Sequence, residues 1–407
     1  MTRPRRRRSW LLAPTLAAVA VAAATLHLAG AAGRSTESGR LSVTQGTFVP
    51  PGLYVSGDTL SGPKSKNGAL QRGAQKLAER AAAPLIGADA PVAVPSPDET
   101  LVAVNTWRWT KAMDWAQSLS EQGIGPGDPL GTPQLRIQDT AANKDRPLEA
   151  GTMSAAWRLD GAFAYVRGEQ PVYRAQTPYL RDVLVRSSLT GPAEKWSTEP
   201  DRFTVLAWAG QTLLVKRDVP GAPPDLVAFD GAGRMRTIAD GSMFVALAPD
   251  GKSVVVAKSP AETPQPGLYV VDVATGSTIG GISLRDMVDP VDNRPLDWAV
   301  GRGSWAGGHV VVPSATGLVV LDVDDRVRLA QVLHLDAADK PNGALYEPRF
   351  VDDSGRAIFT WQDVPDAATP QSVSLLCDRV ALTCLRSIPI ASSDAVRPVD
   401  DESRGSR

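Results

Sequence analysis

The sequence predicts an all-β protein, and within that class a β-propeller with six or seven four-stranded blades and minor N-terminal helical segments. Three observations support this: short apolar strand patterns, Gly-, Asp- and Pro-containing turns between them, and a repeat of roughly 40 to 60 residues. Each propeller blade buries both faces against its neighbours, so its strands are short and its turns frequent. A β-sandwich is the alternative, but roughly 24 strands exceed what a sandwich uses.

The clearest repeat unit begins at Met243, where an apolar strand pattern leads through an Asp-Gly pair at 250–251 into a β-branched strand. A second hairpin pattern starts at Gly267 and is closed by a Thr-Gly pair at 275–276. Asp-Gly is a strong hairpin signal because both turn positions adopt positive φ at little cost. The unit therefore predicts four consecutive antiparallel strands.

Five further copies of this pattern occur, and together the six fill the chain from residue 92 to residue 390. Each combines an apolar stretch, a turn with Asp or Gly, and a second apolar stretch. The additional copies begin at Val94, Trp157, Leu206, Ser304 and Phe350. We therefore assign residues 91–390 to the propeller and residues 391–407, which are polar and of mixed charge, to a disordered tail.

Residues 34–90 form a polar extension in which the patterns predict strand pieces and one short helix. Asn67 is a candidate helix N-cap, followed by apolar residues at helical spacing as far as Pro84. A second helix is predicted from residue 109 to residue 122, where apolar residues recur at the same spacing. Residues 52–55 repeat the Gly-Leu-Tyr-Val of residues 267–270, so N-terminal strands either add to a blade or supply a seventh.

Residues 1–33 carry an export signal. Five arginines lie between residues 3 and 8, and a mostly alanine run follows from residue 10 to residue 32. The end of the run, Ala29-Gly30-Ala31, suits a signal-peptide cleavage site. The alternative is an uncleaved membrane anchor through residues 10–32, because roughly 20 apolar residues span a bilayer. An arginine pair at 7–8 also leaves export by either the general or the twin-arginine route open. Either way, the remaining chain is expected outside the cytoplasm, secreted or anchored to the cytoplasmic membrane.

The two cysteines, Cys377 and Cys384, flank a short polar break between two apolar runs. This pattern predicts a hairpin. If Asp378 pairs with Thr383, the cysteines lie directly opposite each other, at a spacing of ~4.5 to 5.5 Å that suits a disulfide. A metal site needs further ligands, and none stand nearby. A structural disulfide fits an exported chain with an even number of cysteines.

The turns and strands also resemble a known family. The turns at Ser96-Pro97-Asp98 and Ala248-Pro249-Asp250-Gly251, each followed by apolar strands, resemble the TolB-like and WD-type β-propeller repeats of bacterial exported proteins. The resemblance covers residues 91–390 and implies a protein-binding scaffold outside the cytoplasm. The chain departs from TolB by lacking a recognisable α/β N-terminal domain, and from WD repeats by lacking their Trp-Asp ending. TolB's partners therefore do not transfer.

The sequence offers little catalytic chemistry. Beyond the export segment it has two histidines, His309 and His334, each inside an apolar strand pattern and expected to be a packed or edge residue. Zinc-ligand spacing, a Gly-x-Ser-x-Gly elbow and phosphate-binding loops are absent, so we expect no cofactor. Acidic clusters at 286–297 and 322–325 do not follow an ordered calcium-loop pattern and are expected to be solvated turns.

Tryptophans give the strongest hint of binding. Trp107, Arg108, Trp109 and Trp115 fall within nine residues, before a Gly- and Pro-rich stretch. Because Trp and Arg are frequent interface anchors, we predict that they form part of a binding rim. The alternative is that they pack this insertion on the first blade. Four other tryptophans lie inside the repeats and are predicted to be core residues: Trp157, Trp208, Trp305 and Trp361.

The leading functional expectation is a non-enzymatic, monomeric propeller that binds a protein, peptide or glycan ligand at the cell envelope. The net charge of −1 gives no reason to expect nucleic acid. Two alternatives stay open: a propeller enzyme, such as a metal-dependent lactonase or a lyase, and a tethered sensory or scaffold domain. A stoichiometric divalent ion in the central channel would favour the enzyme.

Overall fold

The computed structural model describes residues 37–45, 54–56, 59–61, 75–76, 93–98, 100–109, 131–139, 144–168, 180–197, 201–219, 221–259, 263–296, 302–314, 317–324, 326–336, 348–351, 353–364 and 371–387. Five short strands come before the repeats: β1 (Glu37–Arg40), β2 (Ser42–Gln45), β3 (Tyr54–Ser56), β4 (Thr59–Ser61) and β5 (Gln75–Lys76). The last three form a sheet of their own.

Six antiparallel sheets of four strands follow in chain order, and we call them blades 1 to 6. Blade 1 has β6 (Ala93–Pro95), β7 (Leu101–Trp109), β8 (Gly131–Asp139) and β9 (Lys144–Pro147). Blade 2 has β10 (Thr152–Trp157), β11 (Phe163–Gly168), β12 (Leu180–Arg186) and β13 (Ala193–Lys195). Blade 3 has β14 (Arg202–Ala209), β15 (Thr212–Asp218), β16 (Asp225–Phe229) and β17 (Met235–Ala239).

Blade 4 has β18 (Met243–Leu247), β19 (Ser253–Lys258), β20 (Gly267–Asp272) and β21 (Thr278–Ser283), after which a short 3₁₀ helix forms at Leu284–Asp286. Blade 5 has β22 (Ser304–Ala306), β23 (His309–Ser314), β24 (Gly317–Val323) and β25 (Val327–His334). Blade 6 has β26 (Arg349–Phe350), β27 (Ala357–Val364), β28 (Gln371–Asp378) and β29 (Thr383–Ser387). All six predicted repeats are thus confirmed as four-stranded sheets.

The core of the propeller lies between consecutive blades. Five buried apolar clusters join blades 1 and 2, 2 and 3, 3 and 4, 4 and 5, and 5 and 6. The first strands of consecutive blades, from β6 to β26, also contact one another, and so these strands are the inner ones. Each blade buries apolar side chains on both faces, which explains why its strands read as nearly continuous Val, Ile and Leu runs rather than as alternating ones.

The hairpin turns were correctly located, although their geometry differs from the two-residue turn that Asp-Gly suggests. At 248–251, the N–H of Gly251 donates to the carbonyl of Ala248 (2.9 Å), and Gly251 alone has a positive φ, of 70°. This is a type I turn with Pro249 at its second position, followed by a left-handed glycine. Residues 158–161 repeat this geometry: Gly161 donates to Arg158 (2.9 Å) and has a φ of 87°.

Alternate connections lie at opposite ends of the propeller, because the strands of each blade run up and down in order. The tight turns after the first and third strands, such as 158–161 and 248–251, share one end, which we call the Asp-turn face. The connections after the second strands and between blades share the other end. The end of β7 at Trp109 and the start of β8 at Gly131 lie at this second end, which we call the insertion face.

The N-terminal strands extend two blades. β1 pairs in parallel with β25 and β2 with β29, so that blades 5 and 6 each gain a fifth, outermost strand. The sequence left open whether N-terminal strands add to a blade or supply a seventh blade. The strands β1 and β2 add to existing blades. Residues 54–56 instead belong to the separate sheet of β3 to β5.

The predicted cysteine hairpin is confirmed. Asp378 pairs with Thr383, Cys377 pairs with Cys384, and a disulfide joins the two cysteines across β28 and β29, with their Cα atoms 4.0 Å apart. Both cysteines are buried. The bridge closes the last hairpin of blade 6.

The described residues of both predicted helices lie in strands instead. Gln75 and Lys76, inside the predicted first helix, form β5 and pair with β4, and Trp109, the predicted start of the second, ends β7. Helical spacing alone was misleading here, because pairing with a neighbouring strand decided the conformation. The remainder of both segments, the export segment and the tail from residue 391 lie outside the described residues. No helix within the described part of the chain is long and apolar enough to cross a membrane.

Candidate ligand-binding face

The inner strands end in large apolar side chains at equivalent positions of five consecutive blades. In each blade, this side chain lies on the first strand, opposite a fully buried residue of the second strand. The five buried partners are Phe163, Leu213, Val254, Val310 and Ile358. We call the five residues the collar: Trp157, Trp208, Leu247, Trp305 and Phe350. All five are half-buried. The collar therefore offers an aromatic and aliphatic surface around the propeller axis at the Asp-turn face.

Each collar residue packs against the buried cluster shared with the preceding blade. Two indoles also bond to that blade: Trp157 Nε1 donates to the carbonyl of Val94 (3.1 Å), and Trp208 Nε1 donates to the carbonyl of Ala156 (3.2 Å). Trp305 differs, since its Nε1 donates to Gly307 in its own turn (3.2 Å). Trp157, Trp208 and Trp305, which were predicted to be core residues, are thus partly in the core and partly exposed. Trp361 lies on β27.

Further hydrogen bonds fix neighbouring inner strands. Ser154 Oγ, which is buried, donates to the carbonyl of Val205 on the next blade (2.7 Å). The N–H of Gly303 donates to Val245 (3.0 Å), which links blade 5 to blade 4. These bonds satisfy backbone groups along the inner edge of each sheet. The collar is therefore a surface held in a fixed shape before any ligand arrives.

Arg158 and Leu159 extend the collar outward from blade 2. The Arg158 guanidinium lies 4.9 Å from the ring centroid of Trp208, a cation–π distance. It also forms a two-bond pair with Asp160, at 2.8 Å for each bond. Next to it, Leu159 is 90% exposed, the highest exposure among the large hydrophobic residues in the described chain. An arginine held over an indole beside an exposed leucine is typical of binding surfaces.

The aspartates of the Asp-turn face serve the turns themselves. Asp98 Oδ1 accepts from Ser96 Oγ (2.6 Å) and from the N–H of Thr100 (3.2 Å), and these bonds lower the pKa of Asp98. The bonds from Arg158 and from the N–H of Ala162 likewise lower the pKa of Asp160. Both side chains are therefore ionised at neutral pH and already hydrogen-bonded, so neither suits a general acid or base.

The two histidines lie on blade 5, and each faces a carboxylate. His309 Nδ1 lies 2.7 Å from Asp322 Oδ1 across β23 and β24. His334 Nε2 lies 3.0 Å from buried Asp289 and 3.1 Å from Ser38 Oγ. A Ser-His-Asp relay needs the hydroxyl and the carboxylate on opposite ring nitrogens, whereas both partners of His334 contact the same one. This cluster is therefore a structural contact between β1, β25 and the loop after blade 4.

The acidic clusters also have protein partners. Asp289 Oδ1 accepts from the N–H of Val291 (2.9 Å), Asp292 Oδ1 accepts from the N–H of Arg294 (3.1 Å), and Asp324 pairs with Arg328. Within the described residues, no group of three or more His, Cys, Asp or Glu side chains could hold a metal ion. Asp297 and Asp325 lie outside the described residues.

Three of the four predicted rim residues lie at the far end of the β7–β8 hairpin, whose strands are the longest in the described part of the chain. Trp107, Arg108 and Trp109 end β7, and their backbone pairs with residues 131–133 of β8. The strand thus continues through both tryptophans. Trp115 lies outside the described residues. The structure places the three strand residues at the insertion face, on the opposite end from the collar, and their role in binding remains a prediction.

Two features of the structure were not predicted from the sequence. Leu247 and Phe350 look like ordinary strand residues, and only the register of each inner strand reveals that they match Trp157. A buried network between blades 1 and 2 was also missed: Tyr165 Oη donates to Glu149 (2.6 Å), and Arg186 contacts both. These partners lie far apart in sequence, so no local pattern connects them.

The strand pairings make this chain a β-propeller protein. No protein-family model matches the chain, and no curated protein matches it. Among solved structures, it is similar to TolB from Acinetobacter baumannii, with 13% identity over 63% of this chain and 62% of that one, at a TM-score of 0.37. It is also similar to an acylaminoacyl peptidase from Pyrococcus horikoshii, with 14% identity over 71% of this chain and 44% of that one, at a TM-score of 0.40.

A third similar structure is the β-propeller domain of the Trilobed protease from Pyrococcus furiosus, with 12% identity over 70% of this chain and 81% of that domain, at a TM-score of 0.40. The chain spans less than two thirds of the first two proteins. At these identities and TM-scores the similarities carry no argument about function. The architecture rests on the strand pairings of the chain itself.

Proposed function

We propose that this chain is an exported, non-enzymatic propeller that binds a protein, peptide or glycan ligand at the cell envelope, through the collar and the adjoining Leu159. The observation that carries the proposal is the collar, which has half-buried indoles on three blades, together with Leu159, which is 90% exposed in the turn after Trp157. Exposed apolar groups on a rigid support favour binding, because little conformational entropy is lost when a ligand covers them.

Binding without turnover is supported by the chemistry around the collar. The nearby aspartates are ionised and occupied by turn N–H groups, and Arg158 is committed to Asp160 and to the Trp208 ring. Such groups position a ligand but supply neither a nucleophile nor a proton donor. Export is supported by the arginine-rich N-terminus and by the disulfide, which persists in an oxidising compartment.

The decisive experiment compares two matched variants, Leu159→Ser and Ile279→Ser, in affinity capture. Leu159→Ser removes an exposed side chain of the collar face, and Ile279→Ser removes one that is 51% exposed on the outermost strand of blade 4. Purified wild-type protein and both variants are incubated with envelope extract from the producing cell. We expect Leu159→Ser to lower recovery of the ligand by at least ~5-fold, since a ligand that covers this side chain loses the burial of its apolar surface, and Ile279→Ser to leave recovery unchanged.

Equal recovery with both variants would place the ligand elsewhere and refute the collar as its site. A stoichiometric divalent ion in the purified protein, together with turnover of a lactone or a uronide, would refute the non-enzymatic assignment. N-terminal sequencing of the fractionated protein tests export: a mature chain starting near Ala32, or a membrane-bound one, is expected. A soluble, full-length cytoplasmic chain would contradict it.

A further inference from the structure

Residues 37–45, which we call the strap, run along the outer edges of two blades. Residues Glu37–Arg40 pair in parallel with 331–334 of β25, and residues Ser42–Gln45 pair in parallel with 383–386 of β29. The strap therefore supplies one extended peptide to two separate sheets. Without it, β25 and β29 would be edge strands with unpaired N–H and C=O groups.

The strap is fixed at the junction of the two blades by a single side chain. Leu41, between β1 and β2, is 2% exposed and packs into the cluster shared by blades 5 and 6, with Leu333 and Ile358 among its members. Its N–H donates to the carbonyl of His334 (2.9 Å), and the next N–H, of Ser42, donates to Leu382 (2.9 Å). The backbone thus passes from one sheet to the other within one residue.

The other side chains of the strap contribute little to its attachment to the blades. Arg40, Ser42, Thr44 and Gln45 are exposed, and the Arg40–Asp336 pair (3.0 Å) has both side chains more than half exposed, so it contributes little. Ser38 contacts His334 (3.1 Å). The strap is therefore held by backbone bonds, by buried Leu41 and by Val43, which is partly buried against the same cluster. An element with so few buried apolar contacts opens at a lower free energy than the blades.

The strap sequence also contains a small residue, Gly39, that lies against Leu382. A Cβ added to Gly39 would lie 2.5 Å from Leu382 Cδ1 and 2.6 Å from Leu382 Cδ2. A larger residue there would have to displace Leu382, which packs against the same blade 5–6 cluster. The site therefore favours a peptide with a small residue two positions before a leucine-sized one, because a larger residue requires the Leu382 side chain to move.

We propose that the outer edges of blades 5 and 6 form a binding site for an extended peptide with this pattern, and that the strap occupies this site until such a peptide displaces it. Peptides add to sheet edges through main-chain hydrogen bonds, with side-chain pockets providing specificity. The acceptor stays formed when the strap leaves, because the disulfide holds β29 against β28 independently of β2. The recess that receives Leu41 is the specificity pocket.

The test uses the full exported chain and a fluorescently labelled peptide of residues 37–45. In the wild type, the strap competes for the site and the peptide binds weakly. Leu41→Ala weakens the strap, since it empties a buried leucine position, and should tighten peptide binding by about tenfold or more. Ser42→Ala, at the neighbouring exposed position, is the matched control and should bind the peptide as the wild type does.

Three results would overturn the proposal. The first is a Leu41→Ala chain that keeps the wild-type disulfide and circular dichroism but binds the peptide no better. The second is equal binding of a peptide that itself carries Leu41→Ala. The third comes from hydrogen exchange in the wild-type chain, which stays informative even if Leu41→Ala fails to fold. Strap amides should exchange well before those of β24, and joint exchange would show that the strap does not detach.

Discussion

The network between blades 1 and 2 allows a quantitative prediction for Tyr165→Phe. Tyr165 is fully buried, its hydroxyl donates to Glu149 Oε1 (2.6 Å), and it accepts from Arg186 Nε (3.0 Å). Arg186 also contacts Glu149 directly, at 3.2 and 3.3 Å. Phenylalanine keeps the ring and removes only the hydroxyl, so the packing of the interface is preserved while two hydrogen bonds are lost.

The expected loss is about 1 to 2 kcal/mol in the free energy of unfolding. Hydrogen bonds to charged groups contribute ~1.5 to 3 kcal/mol, but Glu149 and Arg186 still satisfy each other in the variant, which reduces the loss. Glu149→Ala should cost more, about 2 to 3 kcal/mol, because it leaves the Arg186 guanidinium without its carboxylate. Tyr269→Phe is the control. Its hydroxyl donates to Gln265 (2.6 Å) at an exposed position, and we expect less than ~0.5 kcal/mol.

Alkaline pH provides a second readout of the same network. Burial and the bond to Glu149 raise the pKa of Tyr165 to about 12, from about 10 in an unfolded chain. The contribution of this group is therefore fully present below pH 10 and is lost as the pH rises through about 12, by about 2 to 3 kcal/mol. Tyr165→Phe should lack this part of the alkaline decline, whereas Tyr269→Phe should retain it.

Urea unfolding followed by circular dichroism measures both effects. A Tyr165→Phe chain as stable as Tyr269→Phe at pH 7 would show that the hydroxyl contributes nothing net. Identical slopes of stability against pH between 10 and 12 in the two variants would show that Tyr165 does not hold its proton as the geometry requires. Either result would refute the network as a stabilising link between the blades.

Three other predictions concern blade 6 and the insertion face. The bond from Arg356, followed by turn N–H groups, lowers the pKa of Asp378 to about 2. Asp378→Asn should therefore cost ~1 kcal/mol at pH 7 after screening by solvent, and urea midpoints of variant and wild type should converge as the pH falls from about 4 through about 2. Cys377→Ser with Cys384→Ser should cost about 2.5 kcal/mol. Two alkylatable thiols in the native protein would contradict the bridge. The rim hypothesis, which places the ligand at the end opposite the collar, makes a competing prediction: Trp107→Ala with Trp109→Ala weakens ligand capture by ~2 kcal/mol with little change in melting temperature. Binding at the collar predicts unchanged capture by this variant, and early melting with normal binding would contradict the rim role.

Local signals in the sequence predicted what is locally determined. The Asp-Gly and Thr-Gly pairs around Met243 located the hairpins of blade 4, and the spacing of Cys377 and Cys384 was enough to predict their register and their disulfide. Repetition of the same signals then located the six blades that the structure describes, although the sequence left a seventh open. These predictions succeeded because a hairpin is specified by its turn and by the alternation of the few residues on each side.

Long-range strand pairings could not be predicted from these local signals. Nothing in Ser42–Gln45 indicates that it lies beside Thr383–Ser387, some 340 residues away, since a parallel edge pairing has no turn to mark it. The helix predicted around Gln75 failed for a related reason, because a short polar segment took its conformation from the strand beside it. The collar was partly foreseen, in that the tryptophans of the inner strands were singled out, but their shared position emerged only from the register.

In the proposed function, the position of the collar combines a rigid scaffold with an adaptable binding face. Trp157 and Trp208 use their indole N–H groups to hold the preceding blade, so their replacement disturbs folding and binding together. Leu159 makes no such contribution, because 90% of it is exposed, and Trp305 bonds only within its own turn. Leu159 can therefore change without loosening a blade interface, whereas Trp305 packs against the cluster shared by blades 4 and 5. Ligand preference can be altered at Leu159 while the cross-blade bonds keep the surrounding surface in place, which is why this residue separates binding from stability most cleanly.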